Sequence, residues 1–149
     1  MQRKIYKEIL NWKNSNIKKP LMIIGSRQIG KTYIIEEFCK NEFENYIEIN
    51  LQKSPKIVEI FEQKKDPEEK FYKMLLEINK NFNVETDVIF IDEVQESEQL
   101  ISDLKFFCES EKPYKIIVAG SLLGVKLNRF HSSFPVGKVE MLNMYAMDF

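Results

Sequence analysis

Apolar residues at Ile5, Ile9 and Trp12 follow an i, i+4, i+7 spacing with Lys and Glu between them, which predicts a short amphipathic helix over residues 3–13. After Pro20 the pattern changes. Leu21, Met22, Ile23 and Ile24 form a compact apolar run that stops at Gly25, as expected of a strand covered on both faces in a parallel sheet. From Lys31 to Lys40 the period turns helical through Ile34, Ile35 and Phe38, and alternating Ile and polar residues then predict a strand over Tyr46 to Leu51. Strand, helix and strand together make a βαβ unit.

Ser54-Pro55 opens one further helix and Asp66-Pro67-Glu68-Glu69 opens another. In the second, Asp66 is the N-cap, Pro67 the first helical residue and Glu69 the capping-box acid, with Phe71, Met74, Leu75 and Ile78 on one face. Val88 to Ile91 is a third apolar run and ends in two acids. Leu100, Ile101, Leu104 and Cys108 mark a helix, and Ile116 to Ala119 is a fourth run, ending at Gly120-Ser121. Val136 to Leu142 supplies a fifth strand, weakened by Gly137 and by its charges. Strands alternating with helices throughout predict an α/β fold, a three-layer α/β/α sandwich around a mainly parallel five-stranded sheet.

Composition narrows this little further. The chain has 149 residues, 44% hydrophobic and 30% charged, with five Gly and five Pro, so it reads as a single globular domain spanning 1–149 without repeats or linkers. Cys39 and Cys108 lack CxxC spacing and a neighbouring His, which argues against zinc or a redox pair and for small buried hydrophobes. The start of the chain lacks a signal-peptide core, and no apolar stretch approaches the roughly 18–20 residues of a membrane span. The expectation is a soluble, cytoplasmic protein.

The chemistry is concentrated in two places. Gly25-Ser26-Arg27-Gln28-Ile29-Gly30-Lys31-Thr32 fits GxxxxGK[ST] and lies between an apolar strand and an amphipathic helix, where such a loop has to lie. Its glycines let the backbone turn tightly, so that successive N–H groups and the helix N-terminus hold phosphate oxygens. Lys31 would reach the β and γ phosphates, and the Thr32 hydroxyl would ligate Mg²⁺. The second place is Val88-Ile89-Phe90-Ile91-Asp92-Glu93, an apolar strand ending in adjacent carboxylates. Asp92 suits Mg²⁺, which keeps most of its waters, and Glu93 suits orienting and deprotonating the water that attacks the γ phosphate. Ser121, at the end of the fourth strand, would face the γ phosphate or that water; the plainer alternative is a Ser capping the next turn.

These elements in this order resemble the P-loop ATPases of the AAA+ kind, and the words GSRQIGKT, IFIDEVQ, AGSLLG and FPVGKVEML look like one prokaryotic branch of that superfamily. The resemblance runs through essentially the whole chain. It implies ATP with Mg²⁺, a sheet ordered 5-1-4-3-2, and the roles above: Glu93, Lys31 and Ser121 catalytic, Thr32 and Asp92 at the metal. Composition and spacing alone support only a Mg²⁺-dependent nucleotide binder. Tyr33 stands where many relatives carry a second Thr or Ser, which leaves its backbone N–H rather than a hydroxyl for the α phosphate. The sequence ends at Phe149, where similar proteins continue into a helical lid and a C-terminal region, so it reads as the ATP-binding core of something longer. The family's habit also implies a homo-oligomer, with Arg129 a candidate arginine finger.

Residues 1–31 hold eight Lys or Arg against one Glu, and residues 92–111 hold seven acids against one Lys. Lys31, Asp92 and Glu93 account for part of this asymmetry and solvated helix faces for the rest. With a net charge of -1 and no interleaved aromatic platform, nucleic acid is not indicated. His131 reads as a surface residue. Tyr6 and Trp12 read as core, the alternative being a place near the adenine. Gln28 and Gln95 flank the two phosphate-side motifs, either bonding across the site or exposed. The leading function is ATP binding and hydrolysis coupled to movement of C-terminal parts. A nucleotide-responsive interaction module without useful turnover is the alternative, and a nucleotide or small-molecule kinase is third.

Overall fold

The computed structural model describes residues 2–16, 18–25, 30–121 and 135–144. Helix α1 (Gln2–Asn14) leads into β1 (Leu21–Gly25), α2 (Lys31–Glu42) and β2 (Tyr46–Asn50). A 3-10 turn, Leu51–Lys53, precedes α3 (Pro55–Glu62) and α4 (Pro67–Ile78), and β3 (Val88–Asp92) follows. A second 3-10 turn, Val94–Glu96, enters α5 (Glu98–Glu109), and β4 (Ile116–Gly120) and β5 (Glu140–Met144) complete the described elements. All neighbouring strands are parallel and the sheet order is β2-β3-β4-β1-β5, the order 5-1-4-3-2 read from the other edge.

Alternation along the strands divides the core into two layers, because successive strand residues face opposite sides of a sheet. Met22 and Ile24, Ile89 and Ile91, and Ile116 and Val118 face α3, α4 and α5. Leu21 and Ile23, Val88 and Phe90, and Ile117 and Ala119 face α1 and α2. The central strands β1, β3 and β4 are buried at every position, which is why they read as unbroken apolar runs.

The α1 side contains Trp12, whose indole nitrogen donates to the Lys19 carbonyl at 2.7 Å, and Tyr6, whose ring meets Phe38 at 5.2 Å and whose hydroxyl donates to Glu42 at 2.7 Å. Tyr6 therefore belongs to packing between α1 and α2, and Trp12 is buried in the same layer of the core. Burial pushes the Cys39 thiol up to about 12, as an inert core cysteine requires, whereas Cys108 is only half-buried. On the opposite side Phe71 meets Phe107 and Tyr114 at 5.8 and 5.6 Å.

The expected cap of α4 is present: Asp66 accepts from the Glu69 backbone N–H at 3.1 Å, with Pro67 at the first position. The same helix carries an unexpected group. Lys70 is 0% exposed, and its ammonium donates to the carbonyls of Phe61 and Gln63 at 2.9 and 2.8 Å and pairs with Asp103 at 2.6 Å. Beside it, one Glu62 oxygen accepts from the Ser97 hydroxyl and the Gln99 N–H, both at 2.9 Å. A polar knot thus ties the end of α3 to α4 and to the start of α5.

The fifth strand begins later than the sequence pattern indicates. Gly137 takes φ 77, Lys138 N donates to the Pro135 carbonyl at 3.0 Å, and Val136 is 81% exposed, so this stretch is a turn. Pairing with β1 starts at Glu140, opposite Leu21. Among the described residues no helix is long and apolar enough to cross a membrane.

Candidate functional site

The carboxyl ends of β3, β4 and β1 are adjacent in the sheet, and the described ones among the sequence-derived site residues lie there. Between β1 and α2, Gly25 and Gly30 are described; Ser26, Arg27, Gln28 and Ile29 lie outside the described residues. Gly30 precedes α2 with φ 75 and ψ 20, a left-handed conformation that would cost a residue with a side chain about 1 kcal/mol or more. It thereby aims the unsatisfied N–H groups of the α2 N-terminus at the strand ends, where they favour an anion.

Lys31, the first residue of α2, is 2% exposed. Its ammonium donates to the carbonyl of Gly25 at 3.3 Å and to that of Gly120 at 3.1 Å, spanning the ends of two paired strands. Thr32 follows and donates its hydroxyl to Asp92 Oδ2 at 2.8 Å, closing a gap of 60 residues in sequence. The other Asp92 oxygen accepts from the Glu93 N–H at 2.9 Å. A hydroxyl and a carboxylate, both hard oxygen donors, are therefore side by side at a helix N-terminus. This pair fits Mg²⁺, which takes few protein ligands and retains water.

Glu93 is buried and adopts φ 57, one of two non-glycine residues at positive φ among those described. Such backbone strain, of order 1 kcal/mol or more, persists only where the surroundings impose it. Here the chain must turn from β3 into the 3-10 turn Val94–Glu96 within one residue. The Gln95 side-chain amide donates to Glu93 Oε2 at 2.8 Å. Of the two glutamines flanking the motifs, Gln95 thus contacts the second carboxylate, while Gln28 is outside the described residues. Ser121 follows Gly120, half-buried, next to the carbonyl that Lys31 contacts. Tyr33 is 61% exposed and its phenol bonds Glu37, which raises its pKa above 10. Arg129 and His131 lie outside the described residues.

One neighbour escaped the sequence reading. Glu48 of β2, an exposed residue, bonds Glu36 of α2, one turn beyond Thr32; desolvation by its neighbours, that bond and the charges of Glu36 and Asp92 push its carboxyl up to about 7.

A five-stranded parallel sheet of this order, with a glycine turn and buried Lys between β1 and α2 and a carboxylate closing β3, defines the P-loop nucleoside triphosphatase fold. The sequence profile of the AAA domain family matches residues 17–149, and the chain belongs to that family of ATPase domains. Among solved structures, the chain is similar to the Walker-type ATPase PABY2304 of Pyrococcus abyssi, at TM-score 0.59 and 15% identity, covering 96% of this chain and 53% of that one. It is also similar to the Orc1 protein of Aeropyrum pernix, solved in complex with DNA, at TM-score 0.60 and 10% identity over 97% of this chain and 43% of that one. A third is Hsp104 in its closed state with ATPγS and casein, at TM-score 0.63 and 18% identity over 97% and 26%. At these identities the likeness is one of fold, and the chain spans about half or less of each of these proteins. No curated protein matches it.

Proposed function

We propose that residues 1–149 form an ATP-binding core that hydrolyses Mg²⁺-ATP and couples turnover to movement of parts beyond this domain, including neighbouring copies in an oligomer. The observation that carries this reading is the 2.8 Å contact between Thr32 and Asp92 beside the buried ammonium of Lys31. The loop from Gly25 through Tyr33 offers backbone N–H groups to the phosphates, and Lys31 offers its charge to the β and γ oxygens. Thr32 and Asp92 hold Mg²⁺, which neutralises charge on the phosphate oxygens when bound. Glu93 accepts a proton from the attacking water, and Ser121 contacts the γ phosphate or that water. Catalysis by such a site consists of positioning and charge neutralisation, without covalent chemistry on the protein.

Single-turnover release of phosphate from wild type and Glu93→Gln tests this. The expected outcome is unchanged Mg²⁺-ATP affinity with a rate lowered about a hundredfold or more. Wild type no faster than Glu93→Gln would instead favour a module that binds ATP without useful turnover.

A further inference from the structure

The strained backbone of Glu93 opens the 3-10 turn Val94–Glu96, and such a conformation persists only where the chain on both sides of it is held. On the near side the hold is β3, paired with β2 on one flank and β4 on the other. On the far side it is Ser97, which is 0% exposed. Its N–H donates to the Val94 carbonyl at 3.1 Å, closing the turn, and its hydroxyl accepts from the Leu100 N–H at 3.1 Å, capping α5.

That hydroxyl has a single proton to give, and it goes to Glu62 at 2.9 Å. The same Glu62 oxygen accepts from the Gln99 N–H at 2.9 Å, so the last residue of α3 takes two donors at the start of α5, where a helix N-terminus favours negative charge. Within the turn the Gln95 amide donates to Glu93 Oε2 at 2.8 Å and Glu96 N donates to the Glu93 carbonyl at 3.1 Å. An unbroken run of contacts therefore joins Glu62 to the Glu93 carboxylate through Ser97 and the turn.

Loss of Glu62 would leave the proton of a buried hydroxyl without its acceptor, which is costly, and the relief is for Ser97 to shift toward another acceptor. The turn moves with it. Because β3 is fixed in the sheet, the displacement falls on Glu93, and a misplacement of about 1 Å at a reacting group can cost up to about a hundredfold in rate. Lys31, Thr32 and Asp92 are held instead by contacts among β1, α2, β3 and β4, none of which passes through Glu62. Resting on the reading of Glu93 as the base, we infer that Glu62 is a positioning residue for hydrolysis: from the end of α3 it fixes, through Ser97, the turn that aims the Glu93 carboxylate.

The test measures Mg²⁺-ATP affinity and single-turnover phosphate release in wild type, Glu62→Ala, Glu62→Gln, Asp66→Ala, Glu93→Gln and the double variant Glu62→Ala/Glu93→Gln. Glu62 is exposed at a helix end, so its truncation opens no cavity in the core. Glu62→Ala should lower the rate constant about tenfold with affinity changed less than about twofold. Glu62→Gln keeps a side-chain oxygen that can accept from both donors and should stay within about threefold of the wild-type rate. Asp66→Ala removes the cap of α4, which lowers the melting temperature without touching Ser97, and should stay within about twofold of the wild-type rate. The double variant should be no slower than Glu93→Gln, because a residue that acts through Glu93 has nothing left to position. Glu62→Ala at the wild-type rate, a loss of affinity as large as the loss of rate, an equal loss of rate in Glu62→Gln or Asp66→Ala, or multiplicative losses in the double variant overturns the inference while leaving Glu93 as the base. A Glu93→Gln chain as fast as wild type overturns both.

Discussion

Lys31 and Lys70 are both buried lysines, each donating to backbone carbonyls, and they sit in opposite kinds of surroundings. Lys70 sits among three helices, and its donors go to the last carbonyls of α3 and to Asp103 at 2.6 Å, so its charge is matched within the fold. Lys31 sits at the carboxyl edge of the sheet, across the ends of β1 and β4, next to a helix N-terminus, a hydroxyl and a carboxylate. Burial of a charge does not distinguish a structural group from a functional one. The distinction lies in what surrounds it: a side chain whose partners close off a helix junction, or one placed at a helix N-terminus beside a hydroxyl and a carboxylate, where the proposed nucleotide site lies.

The largest expected effect on stability follows from Lys70. Truncation to Ala leaves Asp103 buried without its partner and should cost about 3–5 kcal/mol of unfolding free energy in a urea titration. The same measurement on Lys31→Ala should show a smaller loss, about 1–2 kcal/mol, as its hydrogen bonds to two strand-end carbonyls are removed. Equal losses would erase the comparison. Lys70→Met combined with Asp103→Leu should recover most of the stability lost in Lys70→Ala, since apolar replacement of both partners removes the unpaired charge.

A smaller effect concerns Glu48. Its folded-state pKa is raised from 4.5 to about 7, so between these values the native chain binds more protons than the unfolded one and stability falls as pH rises. Glu48→Gln removes that dependence. Without added Mg²⁺, its melting temperature should exceed that of wild type at pH 8 and approach it at pH 4. A gap that stays constant across this range would contradict the assignment.

The comparison also separates what the sequence discloses from what it conceals. The place of Lys31 at the start of a helix was legible because its glycine context and its position after an apolar strand point the same way. The positions of Asp92 and Glu93 were legible for a similar reason, closing an apolar run that is buried throughout. Lys70 was not: flanked by Glu69 and Phe71 in an amphipathic helix, it carries no local mark of burial, which arises only where α3 and α5 converge on α4. Glu48 was hidden in the same way, since its neighbour Glu36 comes from another element. The start of β5 was misplaced because Val136 and Val139 extend the apolar pattern through a turn at Gly137 that only backbone geometry reveals. Patterns within one element were thus readable, and contacts made between elements were readable only when a motif named both partners.

The central claim, that the carboxyl edge around Lys31, Thr32 and Asp92 is a Mg²⁺-nucleotide site, is tested most directly by calorimetric titration of Mg²⁺-ATP, with GTP alongside, into wild type and Lys31→Ala. The account predicts saturable ATP binding by wild type and affinity at least about a hundredfold weaker in the variant, the loss of about 2.7 kcal/mol expected when one partner of a buried charge contact is truncated. Equal ATP affinity in the two proteins would contradict it.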